Sequence, residues 1–336
     1  MIRLAWGAAV LVLLVLPHLL RTTVAEFVIE ILIYGMFATS LNILIGRLGL
    51  ISFGHGMFLG VGAYLAAFQL VHLSENLFVL LMAAVLLGAV ISLAVGALVL
   101  RLGGVGFVMI TIALCQLFYV LILSTQDTTG GINGLSGLPR PTLGQTDVGP
   151  EWLSLDNTAT FYYVCLTCLA AFLLALRRLD ASPMGMVFHG IRQNPARMRA
   201  LGYPVRLFQL VGFVMAGVGA SVAGALSAGL LGVVDPTLFF WTTSGEVILM
   251  VILGGSTVLL GPLVGAAIFI TLFHQLSGIT DHWRLVLGLV FVIVVLFAPR
   301  GVLPVVLDWW RGWRSGRQRA VKPRTTASAL GGKTVP

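Results

Sequence analysis

Apolar runs long enough to cross a bilayer follow one another along almost the whole chain, and nothing else restricts its folding so strongly. They fall at residues 4 to 20, 27 to 46, 50 to 71, 77 to 100, 105 to 124, 159 to 176, 207 to 231, 238 to 255, 261 to 276 and 284 to 303. A helix needs about 20 such residues to traverse a hydrocarbon core. The runs lack the polar alternation of a barrel wall, and in lipid the remaining way to satisfy every backbone N–H and C=O within a segment is a helix. The expected fold class is an all-α polytopic membrane protein with about ten transmembrane helices and room for broken or re-entrant segments. The division of 238 to 276 is the least marked. Only 10% of the 336 residues are charged, against roughly 25% in soluble domains.

The net charge of +8 is unevenly placed. Arg177 to Arg206 carries six Arg against one Asp, and Arg300 to Lys333 carries eight basic residues against Asp308, so the remainder is net acidic. In a soluble protein such a charge would point to nucleic acid. Beside membrane helices it sets topology and attracts anionic head groups. With the amino terminus inside, Arg47, Arg101, the island and the tail share the cytoplasmic side. Glu26, Glu30, Glu75, Asp127, Asp147, Glu151, Asp156, Asp235 and Asp281 fall opposite, with Arg140. Both termini are therefore expected in the cytoplasm. Arg3 and the run to Leu16 resemble a signal peptide, but Pro17, His18 and Arg21 follow without a small-x-small cleavage site, which favours a retained first helix.

Enzymatic patterns are weak. Gly332, Lys333 and Thr334 end like a phosphate loop, yet Ala327 stands where its first glycine belongs. Cys165 and Cys168 have metal or redox spacing inside an expected span, where thiols usually act as small hydrophobes, and Cys115 is solitary. No histidine pair has metalloprotease spacing. The chain is expected to have no catalytic, metal or cofactor site of its own.

Glycines are more telling. Gly54, Gly56, Gly60 and Gly62, the cluster from Gly212 to Gly232, and the pair Gly261 and Gly265 place small residues on helix faces. Such faces permit close backbone approach in lipid, or broken helices that line a polar path. Asn42, Ser52, His55, Thr111, Gln116 and Glu246 are candidates for that path, because polar groups at membrane depth are costly unless partnered. Glu246 fits either the outer interface or a buried position with a partner.

Within the island, Ser182 and Pro183 can start a short helix. Pro195 should break it after Asn194, and Gly202 can end the next turn. Met184, Val187, Phe188 and Ile191 form an apolar stripe suited to lipid or to a groove on a partner. The bend in GIRQNPA is a stiff projection of the kind a soluble motor could push.

Several stretches in order resemble the LivM-type permease subunit of branched-chain amino acid ABC transporters. They are LNILIGRLGLISFGHGMFLGVGAY from Leu41, GFVMITIALCQ from Gly106, TGGINGL from Thr129, SPMGMVFHGIRQNPARMRALG from Ser182, VILGGSTVLLGPLVGA from Val251, and PRG from Pro299. The chain departs from the usual pattern at Arg47, Leu48, Gly49 and Leu50, where an aromatic-small-Gly-Gln sequence is common, and at His189 and Gly190.

The resemblance implies an ATP-driven importer of branched-chain or related hydrophobic amino acids in a bacterial inner membrane, working by alternating access. Its partners would be a second related permease, two cytoplasmic ATPase subunits that bind ATP and Mg, an extracytoplasmic substrate-binding protein and membrane lipid. Residues 1–303 would be the permease domain and 304–336 a basic cytoplasmic tail, disordered after about 311. Ser182 to Gly202 would be the coupling segment, with Gly190, Arg192, Asn194, Pro195 and Gly202 matching its pattern. A urea or short-chain amide permease, an ion-coupled secondary transporter, and a scaffold or channel are the alternatives.

Overall fold

The computed structural model describes residues 21–142, 157–279 and 282–309, together with Pro17. Helix α1 covers Thr22–Asn42 and runs directly into a π-helical segment, Ile43–Leu48. There follow α2 (His55–His72), α3 (Leu77–Val99), α4 (Val105–Ser124), α5 (Thr158–Asp180), α6 (Pro183–Gln193), α7 (Pro195–Ala200) and α8 (Val205–Leu231). The last are α9 (Trp241–Gly254), α10 (Gly261–Ser277) and α11 (Trp283–Phe297), with α12 at Val302–Trp309. A two-residue antiparallel pair, β1 (Leu135–Ser136) with β2 (Val233–Val234), joins two connections. Asn76 and Asn157 start α3 and α5 as side-chain caps, accepting from the amides of Phe78 and Ala159.

The protein is an all-α polytopic membrane protein, but ten spans are not what the described residues display. Five helices are long and apolar enough to cross, or six if α11 and α12, bent by 43°, count as one. The difference has local causes. The run 4 to 20, apart from Pro17, lies outside the described residues. The run 50 to 71 loses its first turns to an irregular stretch before His55, and 238 to 255 loses its own to a 3-10 turn at Pro236–Phe239. The resulting α9 has 14 residues and α10 has 17. At 1.5 Å per residue neither reaches the roughly 30 Å of a hydrocarbon core.

Helix α8 lies at the centre, lined with Ala216, Gly217, Gly219, Ala220, Ala223 and Gly224, all buried. Apolar lipid gives no hydrophobic drive for helices to associate, so close packing has to supply the attraction. Here it is reciprocal. A Cβ on Gly62 of α2 would strike the Ser221 carbonyl, and one on Gly224 of α8 would strike the Leu59 carbonyl. Backbone cannot yield as a flexible side chain does, and overpacking of this kind costs roughly 1–3 kcal/mol or more. Gly62→Val is expected to cut the yield of monodisperse protein after detergent extraction several-fold, measured by size-exclusion chromatography. An unchanged profile would contradict this packing.

The outer face is apolar: Phe78, Met82, Leu86, Val90 and Leu93 of α3 are exposed, as are Leu285, Leu289, Val292 and Leu296 of α11. Lipid is the solvent that such surfaces require. Charges gather at the two ends. Arg47 pairs with Asp180 at one, while Glu26 pairs with Arg140 and Glu30 with His274 toward the other.

Candidate functional site

Helix directions locate the first part of the site. Phe58 meets Gly217 and Gly62 meets Ser221, so α2 and α8 advance in the same direction. Gly254 meets Gly261 and Met250 meets Gly265, so α9 and α10 are antiparallel; Gly35 against Leu263 and Glu30 against His274 make α10 antiparallel to α1. Ser40 of α1 lies beside Gly219 and Leu48 beside Gly212, so α1 also opposes α8. Helices α2 and α9 therefore run in opposite directions. Their amino-terminal ends meet: the Gly56 amide donates to Ser244 Oγ at 2.8 Å, and Gly56 abuts the Phe240 carbonyl. Phe58, four residues into α2, touches the middle of the 27-residue α8, so both helices begin inside the bundle. Two broken helices that start at mid-depth direct their positive dipole ends to one region.

The loop into α2 is held by polar contacts. Thr111 Oγ1 accepts from the Phe53 amide at 3.3 Å and donates to the Val108 carbonyl at 2.8 Å. Cys115 Sγ donates to the Phe53 carbonyl at 3.4 Å, and Ser52 Oγ accepts from the Gly54 amide at 3.3 Å. His55 is fully buried, stacked on Phe37, with Nε2 at 2.8 Å from Ser40 Oγ. The Ser40 hydroxyl spends its proton on the Phe37 carbonyl, so the proton of this contact sits on His55 Nε2. That leaves Nδ1 as a buried acceptor without a partner, and Gln116 Oε1 is another.

Beside this region a cavity of about 340 Å³ is walled by Phe53, Trp241, Leu249 and Phe269 and carries Glu246 and Arg284. Glu246 is neither fully buried nor exposed, and it shares the cavity with a base. Trp283 stacks its ring under the Arg284 guanidinium at 4.4 Å. Thus Ser52, His55, Thr111 and Glu246 gather around the two helix starts, with Gln116 farther along α4. Asn42 does not join them; it faces a second cavity at the far end of α1.

That end carries α6 and α7. Ser182 Oγ accepts from the Gly185 amide at 3.4 Å with Pro183 in the first turn, and Asn194 Oδ1 accepts from the Arg197 amide at 2.9 Å with Pro195 in the next. Gly190 lies against Met198, folding α7 back on α6, and Gly202 follows α7 with φ 87°. Of the stripe, Val187, Phe188 and Ile191 are buried in this chain's own bundle, with Phe188 against Gly212 of α8, and Met184 is half-buried. Arg192 donates to the Gly46 carbonyl in the π-helical segment, and its stem packs on Gly49, which takes a left-handed φ of 72°. π-Bulges often mark functional sites.

Sequence reasoning did not single out Ser40, Cys115, Ser244, Asp180 or Arg284 as site residues. Arg284 had a signal, being a base opening an apolar run, and Asp180 another, as the lone acid of the island. Ser244 had none. Among the described residues no group of three or more His, Cys, Asp or Glu is placed to hold a metal ion.

Broken helices meeting within a multi-pass bundle are an arrangement by which membrane transport proteins line a polar path. Residues 23–295 match the family described as branched-chain amino acid transport system / permease component, and the chain belongs to this family. It is similar to the high-affinity branched-chain amino acid transport system permease protein LivM of Escherichia coli K12, 27% identical over 305 residues, covering 86% of this chain and 72% of that protein. LivM of Salmonella typhimurium LT2 is 27% identical over 290 residues, covering 82% and 68%. No solved structure matches the chain significantly.

Proposed function

We propose that this chain is the permease subunit of an ATP-driven importer that moves branched-chain or related hydrophobic amino acids into the cytoplasm by alternating access. The observation that carries the proposal is the cavity at the helix starts. It combines one acid, Glu246, and one base, Arg284, with aromatic and aliphatic walls. A zwitterion with an apolar side chain requires both charges and such a wall; urea requires neither. The unpartnered Nδ1 of His55 adds a buried acceptor nearby.

In this reading the chain works with a second related permease, two ATPase subunits and an extracytoplasmic binding protein. The end bearing Arg47, Asp180 and α6–α7 faces the cytoplasm, and α6–α7 receives the ATPase. ATP binding acts by favouring one state of the bundle over the other through differential contacts. The bonds broken are those of ATP in the partner subunits.

Uptake by the reconstituted complex tests the reading. Leucine, isoleucine and valine are expected to accumulate with ATP, and urea is not; the reverse preference, or uptake without the ATPases, would overturn it. Glu246→Gln keeps the shape but removes the charge, so leucine uptake should fall roughly tenfold, the loss of a charge-assisted hydrogen bond of about 1.4 kcal/mol.

A further inference from the structure

The second cavity, about 230 Å³, lies where the end of α1, the ends of α5 and α6 and the α9–α10 turn converge. It is chemically unlike the first. Its lining holds both acceptors and donors: Asn42, Asp180 and the Ser256 carbonyl with Arg47, Arg192 and His189. Asn42 is buried and its Oδ1 has no partner. Gly46 carries no Cβ, and one there would collide with both Asn42 Oδ1 and the Ser256 carbonyl oxygen. The missing Cβ thus lets two uncharged acceptors converge on Gly46, where they border a narrow notch at the edge of the cavity.

Donors lie beside it. Arg192 lines the cavity and commits one N–H to the Gly46 carbonyl, leaving further N–H groups on a fork that matches a carboxylate. Arg47 is held by both Asp180 oxygens, at 2.6 and 2.7 Å, which fixes a positive group beside a negative one in the wall. Val258 and Leu259 supply the apolar part of the lining.

We propose that this cavity binds a free α-amino acid, with its ammonium group in the notch between Asn42 Oδ1 and the Ser256 carbonyl, its carboxylate on Arg192, and its side chain against Val258 and Leu259. A bare anion would leave the acceptors of the notch unsatisfied, and a bare cation would sit beside two guanidinium groups without a counter-charge of its own. A zwitterion satisfies both sides. Its occupant bridges α6 to α1 and to the α9–α10 turn, so it restrains the segment that links the bundle to its motor. The consequence is feedback: amino acid on this side slows further uptake. The chemistry of the cavity stands by itself, while its cytoplasmic sidedness rests on the importer reading above.

The test uses the intact complex in nanodiscs, without ATP or binding protein, and radiolabelled leucine as the probe. Saturable binding is expected, displaced by valine but not by 4-methylpentanoate, which lacks the ammonium, or by isopentylamine, which lacks the carboxylate. Thr257→Trp fills the mouth of the cavity from an exposed loop position and should weaken this binding at least about tenfold. Leu86→Trp, on the exposed face of α3 and outside both cavities, should leave this binding unchanged.

A second measurement needs no variant. Leucine loaded inside wild-type proteoliposomes should lower the initial rate of leucine uptake, and loaded 4-methylpentanoate should not. Leucine binding absent or indifferent to Thr257→Trp, together with uptake indifferent to internal leucine, would overturn the inference while leaving import intact. Uptake of urea in place of leucine would instead sink the importer reading, and the nanodisc binding result would still decide the cavity.

Discussion

Asp180→Ala will destabilise the protein more than Arg47→Met, although each removes one half of the same ion pair. The pair is bidentate, at 2.6 and 2.7 Å, but its halves differ in access to water: the Arg47 side chain is 6% exposed and that of Asp180 is 32%. Without Asp180 the guanidinium stays charged and almost wholly buried, since arginine does not deprotonate in proteins. Stranding such a charge costs on the order of 3 kcal/mol. Without Arg47 the carboxylate can turn to water, and the Met stem replaces most of the lost packing, so the cost is about 1 kcal/mol. Thermal unfolding in detergent should rank the variants in that order, and the double variant should recover much of the Asp180→Ala loss. Equal losses, or a greater loss for Arg47→Met, would contradict the burial asymmetry.

Features set by neighbours in the chain could be read from the sequence. The starts of α6 and α7 follow from Ser182–Pro183 and Asn194–Pro195, because a cap and a fixed backbone angle act within four residues. The spans near α1, α3, α4, α5 and α8 follow from unbroken apolar runs. The helix starts inside the bundle are different. The backbone before His55 leaves the helix because Thr111 and Cys115, from α4, take up the polar groups of Phe53. No local pattern announces a partner some 60 residues away. Phe188 and Ile191 were equally ambiguous: an amphipathic stripe states that it will be covered but not by what, and here Gly212 of α8 opens the space beneath Phe188. Ser244 and the orphaned Nδ1 of His55 emerge only when α2 and α9 are brought end to end.

The largest functional loss is expected at the break between α6 and α7. Asn194 leaves the helix with an extended backbone, φ −158° and ψ 97°, and its side chain caps the next six residues. Pro195 cannot supply the amide that a continuous helix would need. Replacing both by Ala removes the cap and the interruption together, so Pro183 to Ala200 can form one straight helix of about 27 Å. Met198 would then leave Gly190, and a compact elbow would become a rod that no longer presents the same surface to a motor. In reconstituted complex, Asn194→Ala with Pro195→Ala should lower ATP-driven leucine uptake by at least about tenfold. The stimulation of ATPase activity by loaded binding protein should disappear, while leucine affinity of the isolated binding protein remains unchanged. Pro195→Ala alone keeps the Asn194 cap and should fall between wild type and the double variant. Normal uptake with normal stimulation in a well-expressed double variant would show that force enters the bundle elsewhere. In the proposed reading, the contact of Arg192 with Gly46 is the route by which a push on the elbow would enter the bundle. It ties α6 to the π-helical end of α1, and seven residues after that end the chain begins α2 at the helix starts that meet inside the bundle.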